Sequence, residues 1–327
     1  MTTNIKPQED KYGITVVGIG GAGINVLRDL INTKLETIDF VAIDTNSSAL
    51  DDLEIKHKIH VKEIAREATL LIDYIKMSGG EHPRIYQELT EVLSDTGMII
   101  TIAGLGGFTG SVLTPIVSEI ARKQGILVIS VCILPSNKEE YRRRVIAEDA
   151  LERLAASTTS IIIVDQDKIV RSKPIIPPNY SYNIVNSFVA DLVNGLIDFF
   201  DIISDIVVFS PTEHVDSRYA VVGIGEASGS GDRAKKALEK ALSNLSANVD
   251  ASLANKVLLK IISGPDLTLD ETMRIIDGVT SFLGNKSEYS LHWGVQIQED
   301  MRSDLKVIII FTGISIFLQR PRAYRYM

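Results

Sequence analysis

Residues 18 to 23 read GIGGAG and residues 104 to 111 read GLGGFTGS. Each follows a run rich in Val and Ile and precedes a helical pattern, so each reads as a strand, a glycine turn and a helix. Glycine lets the backbone come close to a ligand, and a helix N-terminus offers free N–H groups and a positive dipole end to anionic oxygen. Gly18, Gly20 and Gly23 match the dinucleotide fingerprint G-x-G-x-x-G, and Asp44 ends the next strand, where an acid takes a ribose hydroxyl. Alone, that first loop suits a nicotinamide or flavin protein. The second loop, with Gly106, Gly107 and Gly110 flanked by the hydroxyls of Thr109 and Ser111, changes the reading. Two helix N-termini in one sheet can grip a polyphosphate from two sides. No G-x-x-x-x-G-K-[ST] occurs, so the P-loop lysine is absent. Phe108 stands inside the second loop where a close approach favours glycine.

Other reactive side chains offer less. His57 and His60 in KHKIH lie on an apparent strand, where i, i+3 spacing puts them on opposite faces, and no metal site is assigned. Cys132, the single cysteine, sits in the apolar run ILVISVCIL and reads as a buried small hydrophobe, which fits a reducing cytoplasm. The net charge of -8 gives no general attraction to nucleic acid. No stretch reaches the roughly 18 uninterrupted apolar residues of a membrane span. The most apolar helix, NIVNSFVADLVNGLIDFFDII, is broken by Asp191, Asn194, Asp198 and Asp201.

The elements that must carry the glycine loops alternate. GITVVGI, DFVAID, HKIHV, MIITIAG, GILVISVCI and TSIIIVD read as strands, apolar throughout and therefore covered on both faces. Amphipathic stretches such as AGINVLRDLINT, HPRIYQELTEVLSDT and TPIVSEIARKQ separate them. The order predicts an α/β domain with a doubly wound, mostly parallel sheet, then a long central helix from about residue 180, then a smaller α+β domain. In that second domain RYAVVGIGEASG, NKVLLKIISG, EYSLHWGVQIQ and LKVIIIFTGI read as strands and DIVVFSP as a further apolar run, with two helices between.

VVGIGGAGIN, AIDTNSSAL, AGLGGFTGS and LPSNKEEYRRR, in this order and spacing, resemble the tubulin/FtsZ superfamily, nearer its prokaryotic division-ring branch. The resemblance covers about residues 12 to 316. It implies a GTP-binding, filament-forming cytoskeletal protein that takes GTP or GDP, with Mg2+ left open. The implied organisation is a tail at 1–11, a GTP-binding domain at 12–178, a central helix at 179–203, a second domain at 204–317 and a closing tail at 318–327. Carried over residue by residue, Gly20, Gly21, Ala22, Gly23 and Asn25 contact phosphates and base, and Asp44, Thr45 and Asn46 lie beside the sugar and phosphates. Gly106, Gly107, Thr109, Gly110 and Ser111 form the second phosphate loop. MSGGEHP, 77 to 83, matches more weakly the loop that senses the γ-phosphate. Glu139 falls on the ribose and Arg143 near the phosphates; Gln166 and Asn183 fall at the base, where an Asn can both donate and accept. Phe108 and Val112 replace family glycines, so either both sit at negative φ with side chains turned away or the loop is remodelled.

The family's hydrolytic loop brings an Asn and two carboxylates three residues apart to the neighbouring subunit's γ-phosphate. Counting from Asn183 without gaps puts the first acid on Asp205 and leaves Ile203 and Val208 at the other two positions. A rival alignment recovers Asp198 and Asp201 but needs a gap in the helix. The expectation is therefore weak or lost hydrolysis centred on Asp205. Three readings stay open: a GTP-dependent filament built head to tail from copies of this chain, a nucleotide-binding scaffold with little hydrolysis, and a Rossmann-type oxidoreductase. The basic end QRPRAYRYM is a candidate dock for a membrane adaptor.

Overall fold

The computed structural model describes residues 13–31, 38–61, 84–171, 181–202, 218–229, 231–284 and 289–314. The two tails, the segment 77 to 83, the run DIVVFSP and with it Ile203, Asp205 and Val208 lie outside the described residues.

Among the described residues six strands form the first half: β1 Gly13–Ile19, β2 Ile38–Asp44, β3 His57–His60, β4 Thr96–Gly104, β5 Leu127–Leu134 and β6 Ser160–Asp165. Four form the second: β7 Tyr219–Ser228, β8 Lys256–Ser263, β9 Ser290–Ile297 and β10 Asp304–Ile314. The helices are α1 Gly20–Ile31, α2 Ser47–Asp51, α3 Arg84–Val92, α4 Phe108–Lys123, α5 Tyr141–Ser157, α6 Gln166–Arg171, the long α7 Ser181–Ile202, α8 Arg233–Ser243 and α9 Leu269–Leu283.

All ten strands join one sheet in the order β3-β2-β1-β4-β5-β6-β7-β10-β8-β9. It is parallel from β3 to β7, antiparallel on both sides of β10, and parallel again between β8 and β9. The halves meet through the short β6–β7 pairing, in which Ile161 faces Tyr219 and Ile162 faces Ala220. The sequence pattern alone joins the halves only through the central helix; this strand contact is a further link, extended by the Asp165 N–H to the Ser246 carbonyl at 2.7 Å.

Strands apolar at every position need cover on both sides, and alternate residues do enter different cores. Val17 and Ile19 of β1 belong to a cluster with α3, α4, α5, α8 and α9. Val16 belongs to the opposite cluster with α1, α2, α6 and α7. The long helix α7 buries Val185, Val189, Leu192, Val193, Leu196 and Ile197 against strands of both halves.

One buried charge network fixes α8 and α9. Arg233, only 4 % exposed, sends Nε and Nη2 to the two oxygens of Glu271 (2.6 and 3.0 Å) and Nη1 to Asp266 and to the Ser303 carbonyl. Glu271 also closes a capping box with Thr268 at the start of α9. The Arg233 hydrogen bonds hold the Glu271 carboxyl down to about 2, outweighing the opposing effect of burial. Because this folded pKa is depressed, the stabilisation is present above about pH 4.5 and is lost as pH falls toward 2. A shift of that size corresponds to about 3 kcal/mol. Glu271→Gln is therefore expected to lower the unfolding free energy by about 3 kcal/mol at pH 7. Urea titrations at a series of pH values should show the gap from wild type closing below pH 4.5; a gap independent of pH would rule out this role for Glu271.

Candidate functional site

β1 and β4 are neighbours in register, Ile19 opposite Ala103, so their glycine turns leave the same edge of the sheet. α1 begins directly at Gly20, whose φ is 71°, and Gly106 has a φ of 90°; both are left-handed conformations that favour glycine. Two other glycines are set by packing. A methyl group on Gly23 would stand 2.2 Å from the Ile102 carbonyl oxygen, and one on Gly110 would stand 2.2 Å from the Gly104 carbonyl oxygen. Both helices thus press their first turns onto the end of β4. A methyl on Gly21, by contrast, meets nothing within 4 Å, and that residue is open to solvent. Neither helix has an acid in its first turn, so both positive ends remain available to an anion.

Phe108 is the first residue of α4, after Gly107 at the N-cap. Among the described residues Arg302 is the one non-glycine with positive φ, so Phe108 and Val112 are at negative φ. The turn keeps its strand, glycine and helix path. Phe108 is left 40 % exposed, and Val112 packs onto the core.

The remaining sequence candidates fall into connected groups. Asp44, nearly buried, accepts from the Asn46 backbone at 3.0 Å, and Asn46 in turn caps α2. The hydroxyls of Thr45 and Thr109 lie 3.0 Å apart and bridge the turn after β2 to the second glycine loop. Ser111 works inside its own loop, its Oγ accepting from Gly106 N–H at 2.9 Å. On the far side, Glu139 accepts from Gln166 Nε2 at 2.8 Å and pairs with Arg143 Nε at 3.0 Å. Gly106 lies against the Arg143 backbone, and a methyl on Gly107 would come within 3.8 Å of the Arg143 guanidinium. Gly106, Gly107, Arg143, Glu139 and Gln166 therefore form a continuous wall.

Asn25 is engaged by Arg28, which donates to its Oδ1 at 2.8 Å. Asn183 is exposed in the first turn of α7. A member that sequence reading missed is Asp167, which accepts from Ser136 Oγ and from the Asn137 backbone and so ties the loop before α5 to α6. Burial raises its pKa, but these hydrogen bonds and Arg171 outweigh that, and the net shift is downward. Its position beside Gln166 in VDQDK was the available signal.

The rival catalytic acids are elsewhere. Asp198 pairs with Lys260 at 2.7 Å, and Lys260 is 2 % exposed. Two turns earlier on the same face of α7, Asp191 pairs with Lys306 at 2.9 Å, and Lys306 also holds Glu226 at 3.0 Å. Burial works against the Lys306 charge, yet the two carboxylates raise its pKa. Asp191, Asp198, Glu226 and Lys306 border a cleft of about 380 Å³ between α7 and the second half. Lys260 stands alone among apolar neighbours in VLLKIIS, which is itself a sign of a buried ion pair.

The model of the Tubulin/FtsZ family GTPase domain matches residues 13–173, and that of the FtsZ family C-terminal domain matches 218–315. Over 320 residues the chain is 31 % identical to "Cell division protein FtsZ 1" of Pyrococcus horikoshii, covering 94 % of this chain and 82 % of that one. The chain belongs to the tubulin/FtsZ family. A second relative, "Cell division protein FtsZ 2" of Methanocaldococcus jannaschii, is 30 % identical with the same coverage. Among solved structures, an empty FtsZ dimer of M. jannaschii superposes with a TM-score of 0.79 at 28 % identity, covering 94 % of this chain and 89 % of that one. A GTPγS-bound protofilament of CetZ2 from Haloferax volcanii shares the fold, with a TM-score of 0.74 at 20 % identity and coverage of 92 % and 93 %. The oxidoreductase alternative finds no support in these matches, and the second glycine loop it left unexplained is a matched part of the tubulin/FtsZ GTPase domain.

For this tubulin/FtsZ chain the packing separates two kinds of glycine. Gly23→Ala forces α1 off β4 and should cost about 1–3 kcal/mol of stability. Gly21→Ala should leave stability unchanged or slightly raised, because the added methyl meets nothing and Ala suits a helix better than Gly. Thermal melts would check both; equal destabilisation by the two substitutions would contradict the assignment.

Proposed function

We infer that this chain is a GTP-binding cytoskeletal protein that assembles head to tail into filaments and hydrolyses GTP weakly or not at all. The observation that carries the reading is the pair of glycine turns at one sheet edge, with two helix N-termini that no acid neutralises and the Thr45–Thr109 bridge tying the second turn to the one after β2. A single dinucleotide loop would need no such partner. The names of the relatives, cell division proteins and a GTPγS-bound protofilament, support the same reading. GTP sits at the carboxyl edge of β1 and β4, with phosphates on Gly20 to Gly23 and Gly106 to Ser111, ribose toward Glu139, and base toward Gln166 and Asn183. Mg2+ accompanies it, held chiefly by phosphate oxygens, as is usual for this ion. The setting is cytoplasmic, and the tail 318–327 is proposed as a dock for a membrane adaptor.

The site is completed between subunits. In-line attack on the γ-phosphate needs a positioned acid or base. Asp205 is the proposed carboxylate, with Ile203 and Val208 at the positions of its family partners. The engagement of Asp198 by Lys260 supports this alignment over the rival one.

Titration calorimetry with GTP is expected to show binding to wild type. Thr109→Ala and Asn183→Ala should each lose on the order of 1 kcal/mol, the worth of one hydrogen bond. Wild-type affinity in both variants would overturn this placement. Nucleotide extracted from purified protein should absorb as guanine and not as nicotinamide or flavin.

Assembly and turnover are read together, by sedimentation and electron microscopy with steady-state phosphate release. A heterologous contact that does not close gives filaments, expected on adding GTP at high protein concentration. Phosphate release should be slower than in active family members by about 10²- to 10⁴-fold, the usual effect of a lost acid or base. A monomer under all nucleotide conditions would refute assembly. Fast turnover abolished only by the Asp198→Ala/Asp201→Ala pair would refute the Asp205 alignment.

A further inference from the structure

The edge strand β3 ends at His60, opposite Asp44 in the parallel register with β2. Val61 N–H donates to the Asp44 carbonyl at 3.0 Å and fastens this end of the strand. The His60 ring then reaches one residue further along β2's turn, with Nε2 3.1 Å from the Thr45 carbonyl oxygen. A carbonyl only accepts, so Nε2 carries the proton in this contact whatever the charge of the ring.

Thr45 is held on its other side as well. Asp44 Oδ1 accepts from the Asn46 N–H at 3.0 Å, and Asn46 caps α2. With its carbonyl pinned by His60 and the next amide pinned by Asp44, the Thr45 backbone has one orientation, and that orientation aims its hydroxyl at Thr109. Thr109 in turn lies against the first loop: a methyl on Gly20 would be 3.4 Å from the Thr109 Cβ. A relay thus runs from β3, the outermost strand among the described residues, through Thr45 to Thr109 in the second glycine loop, which stands beside Gly20 of the first. His57, on the other face of β3, takes no part.

We propose that His60 is a positioning residue for the nucleotide site, holding the Thr45 carbonyl so that the Thr45–Thr109 bridge fixes the second glycine loop against the turn after β2, beside Gly20 of the first loop. The proposal rests on the nucleotide reading above. Removing the donor frees the Thr45 peptide, the hydroxyl bridge is made only part of the time, and bound nucleotide escapes faster. A side chain that restores an N–H within reach of the carbonyl restores the bridge.

The test uses the full chain and a methylanthraniloyl-labelled GDP, with release followed by stopped-flow fluorescence and folding followed by thermal melting. His60→Leu keeps bulk without a donor, and His60→Asn is too short to span the gap; both should speed release about five- to tenfold, the size of one hydrogen bond to a partly buried carbonyl. His60→Gln, which reaches with its amide, should release within about twofold of wild type. In a Thr109→Val background, where the bridge is already gone, His60→Leu should add less than about twofold, since residues acting through one contact are not additive. Release at the wild-type rate from both removal variants would overturn the proposal, as would equal acceleration by Leu and Gln or full additivity with Thr109→Val. Failure of the labelled GDP to bind wild type would instead overturn the nucleotide reading on which the proposal rests, so the two failures are distinguishable.

Discussion

The close approach of two helices to one strand end is the constraint on which the rest of the nucleotide edge depends. α1 lies on the Ile102 carbonyl through Gly23, and α4 lies on the Gly104 carbonyl through Gly110, so both first turns are referenced to β4. A side chain at either contact would lift one helix and separate the two N-termini. Because both share the same floor, their free amides converge on one volume, and side chains need only trim its walls. Thr45 reaches across from β2, and Arg143 stands against Gly106 and Gly107 from α5. This edge is therefore mostly backbone, and its free amides favour an anion even on a chain with a net charge of -8.

The charges near that cradle are largely engaged with one another. Glu139 is shared by Gln166, Arg143 and the Ser136 amide, Asp44 is satisfied by backbone, and Arg28 holds Asn25. In the second half, buried lysines have a different task. Lys260 and Lys306 hold Asp198 and Asp191, acids seven residues apart on one face of α7. The central helix is thus packed by apolar residues and clamped by two ion pairs. Removing one partner of a pair as buried as Lys260 leaves a charge without compensation, so these contacts define where the helix sits more than they add to net stability.

Much of this was legible in the residues. Strands apolar at every position declared a sheet covered on both faces, and alternation of strand and helix declared its parallel first half. The two glycine turns were legible because their geometry is local: a turn needing positive φ at Gly20 and Gly106 can be read from sequence. Contacts between distant residues were not legible. Nothing in GDRAKKAL foretells that Arg233 is buried between Asp266 and Glu271, and nothing in KHKIH foretells that one histidine meets the Thr45 carbonyl. The roles of Gly23 and Gly110 were half legible. Both were assigned to phosphate contact, whereas their lack of a side chain is demanded first by β4. Phe108 is resolved by the same geometry: as the first residue of α4 it needs no positive φ, so the family's glycine at that place is dispensable for the fold.

The exposed large apolar side chains carry the argument for polarity one step further. Phe108, Tyr141 and Tyr182 sit at the starts of α4, α5 and α7, around the nucleotide edge, while Leu253, Leu269, Met273, Trp293 and Ile297 all belong to the second half. Two separate sets on one chain suit a heterologous contact, in which one set covers the other, better than an isologous one that pairs like with like. In such a contact Phe108 adds apolar surface at the edge where the two glycine turns end. Burial of that surface favours association in proportion to the area removed from water, independently of the state of the γ-phosphate.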